Sequence, residues 1–340
     1  MRQELSRLLS VLVTSATLAT APALVLAANE QPIKVVATFS ILADMVQEVG
    51  GDHVEVISLV GPDEDAHVFD PSPADAKALA QADVVVINGL GFEGWIDRLV
   101  KSSGFKGQLV VATDGVDPIE IGQTKTQDHG KPGHDQHGHD QHSHDKHAHD
   151  HNDHAHDKHA KHDHGDFDPH AWQDLANAKI YVANIRDALV QARPSARAQI
   201  DLRTAQYVAQ IDALDQATRA RMAEIPAQTR RVIVSHGAFE YFAKAYGVQF
   251  FSLQGWTTER EPSAADVAGL IREIRRDQVR ALFVENMSDP RLMSRISEET
   301  GVRIGGELYS DALSLPGSPA DTYLGLFAYN TDLIWSTLQQ

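Results

Sequence analysis

From about Pro32 onward, short β-branched runs alternate with amphipathic stretches, and this alternation restricts the fold more than any other feature of the chain. IKVVATF (Ile33–Phe39) has the composition of a strand, and SILADMVQEVG behind it carries its apolar residues at helical spacing. VEVISLV (Val54–Val60), VVVING (84–89) and QLVVAT (108–113) read as further strands, with a helix around Trp95 between the last two. At Ser72 the sequence S-P-A-D supplies an N-cap, a proline in the first turn and an acid at the third position, which starts a helix running to about Ala82. Strands that alternate with helices pair in parallel, because each helix returns the chain across the sheet. The pattern therefore predicts an α/β unit.

The same grammar returns later in the chain. Strands are expected at RVIVS (231–235), VQFFSL (248–253), ALFVE (Ala281–Glu285) and from Val302 to about Glu307, and helices at 238–245, 263–276, Pro290–Thr300 and 320–338. Between the two halves, AWQDLANAKIYVANIRDALVQA reads as one helix, and the stretch opening at Pro194 as a second of about 30 residues, roughly 45 Å long. Such a length suits a strut between two lobes. With 340 residues, 42% of them hydrophobic, the chain can bury two cores. The expected organisation is a leader at 1–28, a first α/β lobe at 29–193, a linking helix at 194–225 and a second α/β lobe at 226–340. Both lobes are expected to carry parallel sheets.

The first lobe is interrupted by a tract of histidine and aspartate at 128–164, almost free of apolar residues and so unable to offset the entropy of ordering. It is expected to be a mobile loop. Its imidazoles at His134, His137, His139, His142, His144, His147, His149, His151, His154, His156, His159, His162 and His164 are candidates for weak accessory metal binding.

Arg2 and Arg7 precede an apolar run and small residues suited to cleavage near Ala27 or Ala28, the pattern of a secretory signal peptide. The chain contains no cysteine, which excludes disulfides and a lipid-bearing cysteine. The expectation is a soluble periplasmic protein without a lipid anchor or membrane insertion. A net charge of −17 argues against nucleic acid as a partner and suits a cationic ligand.

Outside the tract stand His53, His67, His170 and His236. His53 precedes its strand and reads as a surface residue. The other three, with Asp311 in ELYSDALS, fall in loops near predicted strand ends or helix starts, where open parallel sheets collect functional side chains. Three imidazoles and a carboxylate can complete a tetrahedral zinc site.

In chain order, GPDEDAHVFDPSPAD, NGLGFEGWIDRL, DPHAW, VSHGAFEYFAKAYG, FVENMSDPRLMSRI and LYSDAL resemble the metal-binding solute-binding proteins of bacterial ABC transporters that import zinc or manganese, the cluster A-I group. The resemblance runs from about Pro32 to the last residue. It implies two α/β lobes joined by a rigid long helix, metal ligands at His67, His170, His236 and Asp311, and Glu285 as a nearby acid that supports the site. Manganese members typically place a carboxylate at the third position, where His236 stands here, and imidazole favours zinc over the harder ion. Some zinc members carry an acid immediately before the first histidine. Ala66 occupies that place, so Asp65 does not simply inherit the role.

The resemblance implies no enzyme. It implies capture of Zn(II) as transported ligand and delivery to an inner-membrane permease with its ATPase, by a protein acting as a monomer. Manganese import and a zinc buffer or metallochaperone are the alternatives within metal handling. A zinc hydrolase would need an open coordination position and a base, and the helical H-E-x-x-H arrangement is absent.

Overall fold

The computed structural model describes residues 31–121 and 167–340. The leader expected at 1–28 and the tract at 128–164, with its candidate histidines, lie outside the described residues. Among those described, no helix is long and apolar enough to cross a membrane.

Valine and isoleucine build the first sheet from β1 (Ile33–Phe39), β2 (Val54–Val60), β3 (Val84–Ile87) and β4 (Gln108–Val111). The order is β2-β1-β3-β4, every pair parallel. All of β3 and all of β1 except Lys34 are buried, as expected of strands covered on both faces. The connecting helices are α1 (Ser40–Gly50), α2 (Pro73–Gln81) and α3 (Ile96–Ser103). Ser72 and Asp75 form a reciprocal capping box at the start of α2, so the S-P-A-D signal acts as expected.

The second sheet contains β5 (Arg231–Val234), β6 (Gln249–Ser252), β7 (Ala281–Glu285) and β8 (Ile304–Leu308). Its order, β6-β5-β7-β8, repeats the first, again wholly parallel. Its helices are α6 (Glu240–Tyr246), α7 (Ala264–Asp277), α8 (Pro290–Thr300) and α9 (Tyr323–Leu338). The chain thus forms two α/β lobes.

Between the sheets run α4 (Leu175–Ala192) and α5 (Arg197–Ala223). The 27 residues of α5 span about 40 Å. Its buried residues, Ile200, Tyr207, Ile211, Thr218 and Met222, recur at alternating steps of seven and four, which makes one narrow stripe along an otherwise polar helix. That stripe rests on α1 and α4 of the first lobe and on α6 and α9 of the second. One connected apolar core, from β1 and β3 through α4 and α5 to α6 and α9, ties both lobes to the strut. A smaller core of Ile233, Leu270, Ile274, Leu282 and Met293 lies within the second lobe.

Several helices begin later than their apolar pattern suggests, because the residues before them hold something else. Gly237 N–H donates to the Gly255 carbonyl and Ala238 N–H to His236 O, so α6 waits until Glu240. Thr322 caps α9 by accepting from Gly325 N–H, and the Ala320 carbonyl is taken by Ser314 N–H.

Candidate metal centre

His67 lies in the loop after β2, and His170 ends the excursion that begins at β4, just before α4. His236 stands just past β5 and Asp311 just past β8. The loops bring all four together, with their candidate ligand atoms within 4.8 Å of one another. Asp311 Oδ2 is 3.1 Å from His236 Nε2 and 3.3 Å from His67 Nε2, while Oδ1 is 3.7 Å from His170 Nε2. His67 and His170 Nε2 are 3.4 Å apart. A tetrahedral centre with bonds of about 2.0–2.2 Å has donor–donor edges of roughly 3.3–3.6 Å, close to this spacing.

Burial makes the convergence costly without a cation. His170, His236 and Asp311 are fully buried and His67 is 8% exposed. Both Asp311 oxygens and both His236 ring nitrogens lack a well-aligned hydrogen-bond partner despite their proximity. Buried polar atoms without partners carry a desolvation penalty, which a shared metal ion would relieve. Burial alone would raise the Asp311 pKa, but the neighbouring His236 and His170 outweigh it and hold the carboxyl well below its usual range. Burial likewise pulls His236 down, and the carboxylates of Glu285 and Asp311 reverse this, holding the imidazole well above its ordinary value.

Each of the four residues is fixed by a bond to the carbonyl of the residue before it. Trp95 Nε1–H donates to Ala66 O at 3.0 Å and Asn88 Nδ2–H to Pro169 O at 2.9 Å, so one motif, NGLGFEGW, steadies both His67 and His170. Gln254 N–H donates to Ser235 O at 3.0 Å. Trp172 Nε1–H and Gln173 Nε2–H both donate to Ser310 O, at 2.9 and 2.8 Å, so two residues just after His170 set the backbone that carries Asp311. Inside NGLGFEGW, the buried Glu93 carboxyl accepts from Thr38 Oγ1, Asn88 N and Gly89 N. Gly89 has φ +90° and leaves no room for a Cβ beside Val111 and Thr113. The loop so formed packs Phe92 against His67 and Trp172, a dry aromatic wall for the site.

Two carboxylates orient the imidazoles from behind. Asp168 Oδ1 accepts from His170 N at 2.9 Å and lies 2.7 Å from His170 Nδ1, leaving Nε2 to face the centre. Glu285 Oε1 accepts from His236 N at 3.0 Å, its Oε2 lies 2.5 Å from His236 Nδ1, and Ser310 Oγ donates to that oxygen at 2.8 Å. Glu285 thus stands beside the site. Asp168 was not singled out from sequence, although the spacing D-P-H was in view. Carboxylate–imidazole pairs of this kind are the usual support of metal-bound histidine. His53 lies in a 3-10 turn before β2 and takes no part.

A pair of parallel α/β lobes on a long helix, with three imidazoles and a carboxylate closing on one point, defines a metal-binding solute-binding protein. The chain belongs to the ZnuA family, described as zinc-uptake complex component A, periplasmic, whose sequence model matches residues 35–336. It is 30% identical, over 91% of its length and 90% of the relative's, to the manganese ABC transporter substrate-binding lipoprotein PsaA of Streptococcus anginosus. It is 29% identical, over 90% of this chain and 89% of the other, to the iron ABC transporter substrate-binding lipoprotein MtsA of Streptococcus pyogenes. Among solved structures it resembles the periplasmic zinc binding protein TroA of Treponema pallidum, with TM-score 0.74, 26% identity, and coverage of 91% of this chain and 99% of that one. The protein is therefore the metal-binding, substrate-binding component of an ABC transporter, and works with a permease and its ATPase.

The relatives correct one expectation. An unlipidated protein free in a periplasm was expected from the leader and the absence of cysteine, whereas PsaA and MtsA are both named lipoproteins. Anchoring of that kind depends on a covalent lipid outside the lobes, which neither fold nor leader hydropathy reports. The present chain has no cysteine.

Proposed function

We propose that this protein captures Zn(II) at His67, His170, His236 and Asp311 and delivers it to its permease for high-affinity zinc uptake. The observation that carries the reading is the donor set, three imidazole nitrogens and one carboxylate, all buried and with candidate ligand atoms within 4.8 Å of one another. Nitrogen donors suit zinc, whereas manganese prefers oxygen and more ligands. Four protein donors also leave no position open for a substrate, which favours carriage over catalysis. Manganese import is the competing reading, favoured by the name of the relative PsaA.

The test is a chelator-competition titration of zinc and manganese on the purified protein. Zinc is expected to outcompete manganese for a single tight site. Structural zinc binding of about 10–16 kcal/mol divided over four ligands is roughly 3 kcal/mol each, so His236→Ala is expected to weaken binding by about 100-fold or more. Near-wild-type affinity in that variant, or a preference for manganese, would refute the assignment.

A further inference from the structure

Of the four clustered residues, His67 alone retains any exposure, so an ion entering or leaving passes it. Beside the loop that carries it lies a cavity of about 790 Å³ lined by Asp65, Ser235, Gln254, Thr258, Glu261 and Met287 among others. These residues adjoin the site: Asp65 and Ser235 are close in sequence to His67 and His236, and Met287 Sδ is 3.7 Å from Ser310 Oγ. The Ser235 hydroxyl is buried and has no partner.

One strap of chain, residues 253–262 between β6 and α7, borders this cavity. Its root is bonded to the segment that carries His236, through Gln254 N–H to Ser235 O and Gly237 N–H to Gly255 O. Farther along, it reaches the opposite lobe through Thr258, whose Oγ1 donates to Asp65 Oδ2 at 2.6 Å. Asp65 Oδ1 in turn accepts from His67 N at 2.9 Å. The chain of bonds therefore runs from the His236 segment across the cleft mouth to His67.

A comparison within the molecule shows how Asp65 is used. Asp65-Ala66-His67 and Asp168-Pro169-His170 share the spacing D-x-H, and in both the carboxylate accepts from the histidine backbone N–H two residues on, at 2.9 Å. Asp168 also meets its imidazole. The second oxygen of Asp65 goes instead to Thr258, in the other lobe.

We propose that Asp65 is a positioning residue that ties His67 to the strap through Thr258, and that this tie sets how long a captured ion stays by holding the loop that carries His67 against the other lobe. The proposal rests on the four-residue metal site described above. A hydrogen bond to a charged acceptor that is broken on the way out slows escape by about tenfold or more.

The experiment uses the full-length protein loaded with one equivalent of zinc, mixed rapidly with excess chromogenic chelator, for wild type, Thr258→Val and Thr258→Ser. Valine keeps the shape of threonine and removes the donor, whereas serine keeps the donor. Zinc release is expected to be about tenfold faster in Thr258→Val and restored to near wild type in Thr258→Ser, with thermal midpoints of the metal-free proteins unchanged. Release from Thr258→Val within twofold of wild type would overturn the tie, as would equal acceleration in Thr258→Ser. Wild-type affinity, measured by equilibrium competition in the same preparations, reads the underlying site separately. Tight wild-type binding with an unchanged release ratio defeats the tie alone, and absent wild-type binding defeats both.

Discussion

Replacing Asp168 by asparagine separates what a buried carboxylate does by charge from what it does by shape. Asp168 is wholly buried, and its Oδ1 meets both His170 N and His170 Nδ1, while Oδ2 has no partner. In Asp168→Asn the amide oxygen can keep the Oδ1 contacts and the NH₂ group occupies the place of Oδ2, so packing is preserved and the negative charge is lost. That charge faces the His170 ring from behind, and support of this kind is worth about 10–100-fold in metal affinity, or ~1.4–2.7 kcal/mol. Asp168→Ala removes both acceptors as well. It leaves two buried donors unmet at about 1–3 kcal/mol each, so it is expected to lower stability in addition. Chelator competition reads affinity, and nitrogen-15 shifts of the His170 ring read whether the proton stays on Nδ1. A fall in zinc affinity within the stated range, with unchanged thermal stability, is expected for asparagine. Affinity within twofold of wild type would refute the reasoning that Asp168 tunes the site through its charge.

Two further predictions concern protons. Glu285 and Asp311 hold His236 protonated well above its ordinary range in the metal-free protein, so zinc must displace that proton. At least about one proton is expected to leave per zinc bound at pH 7, with affinity falling steeply toward pH 5. Calorimetry in buffers of different ionisation enthalpy measures it, and binding without proton release would contradict it. Asp44 on α1 accepts from Tyr323 N–H at the start of α9, and burial pushes its pKa from 3.8 to about 6, with Glu48 and Asp321 adding to the rise. Because the folded value lies above the unfolded one, the stability it contributes is complete below pH 3.8 and lost as pH rises through about 6. Roughly two units correspond to ~3 kcal/mol at most. Asp44→Asn, which keeps the acceptor, is therefore expected to be more stable than wild type at pH 7.5 and no more stable at pH 4, by denaturant titration.

The repeated strand–helix grammar was legible because both sheets are parallel and their central strands are covered, so those strands are largely apolar runs. His67, His170, His236 and Asp311 were legible because each breaks the pattern in a loop next to a regular element. The supports were not. Trp172 and Gln173 reach Ser310 across more than a hundred residues, and Asn88 reaches Pro169 across eighty-one. No periodicity encodes such a pairing. The D-P-H spacing was visible, but only the folded loop turns the Asp168 carboxylate onto the imidazole rather than toward another partner, as Asp65 shows by doing the opposite.

With the proposed ligand set, the division of the four residues between lobes gives a way for a captured ion to be surrendered. His67 and His170 belong to the first lobe, His236 and Asp311 to the second, so either lobe alone offers two donors. Two donors bind far more weakly than four, because each lost ligand forfeits its share of the binding energy. The halves are also held in register beside the site, by Trp172 and Gln173 on Ser310 O and Tyr323 OH on Trp172 O, and farther off by Asp44 on Tyr323 N. The neutral bonds among these contribute about 1 kcal/mol each and the one to the Asp44 carboxylate about 1.5–3 kcal/mol, less than the ion. A partner that grips both lobes and prises them apart would break these first, and the ion would lose half its ligands without any of them being touched.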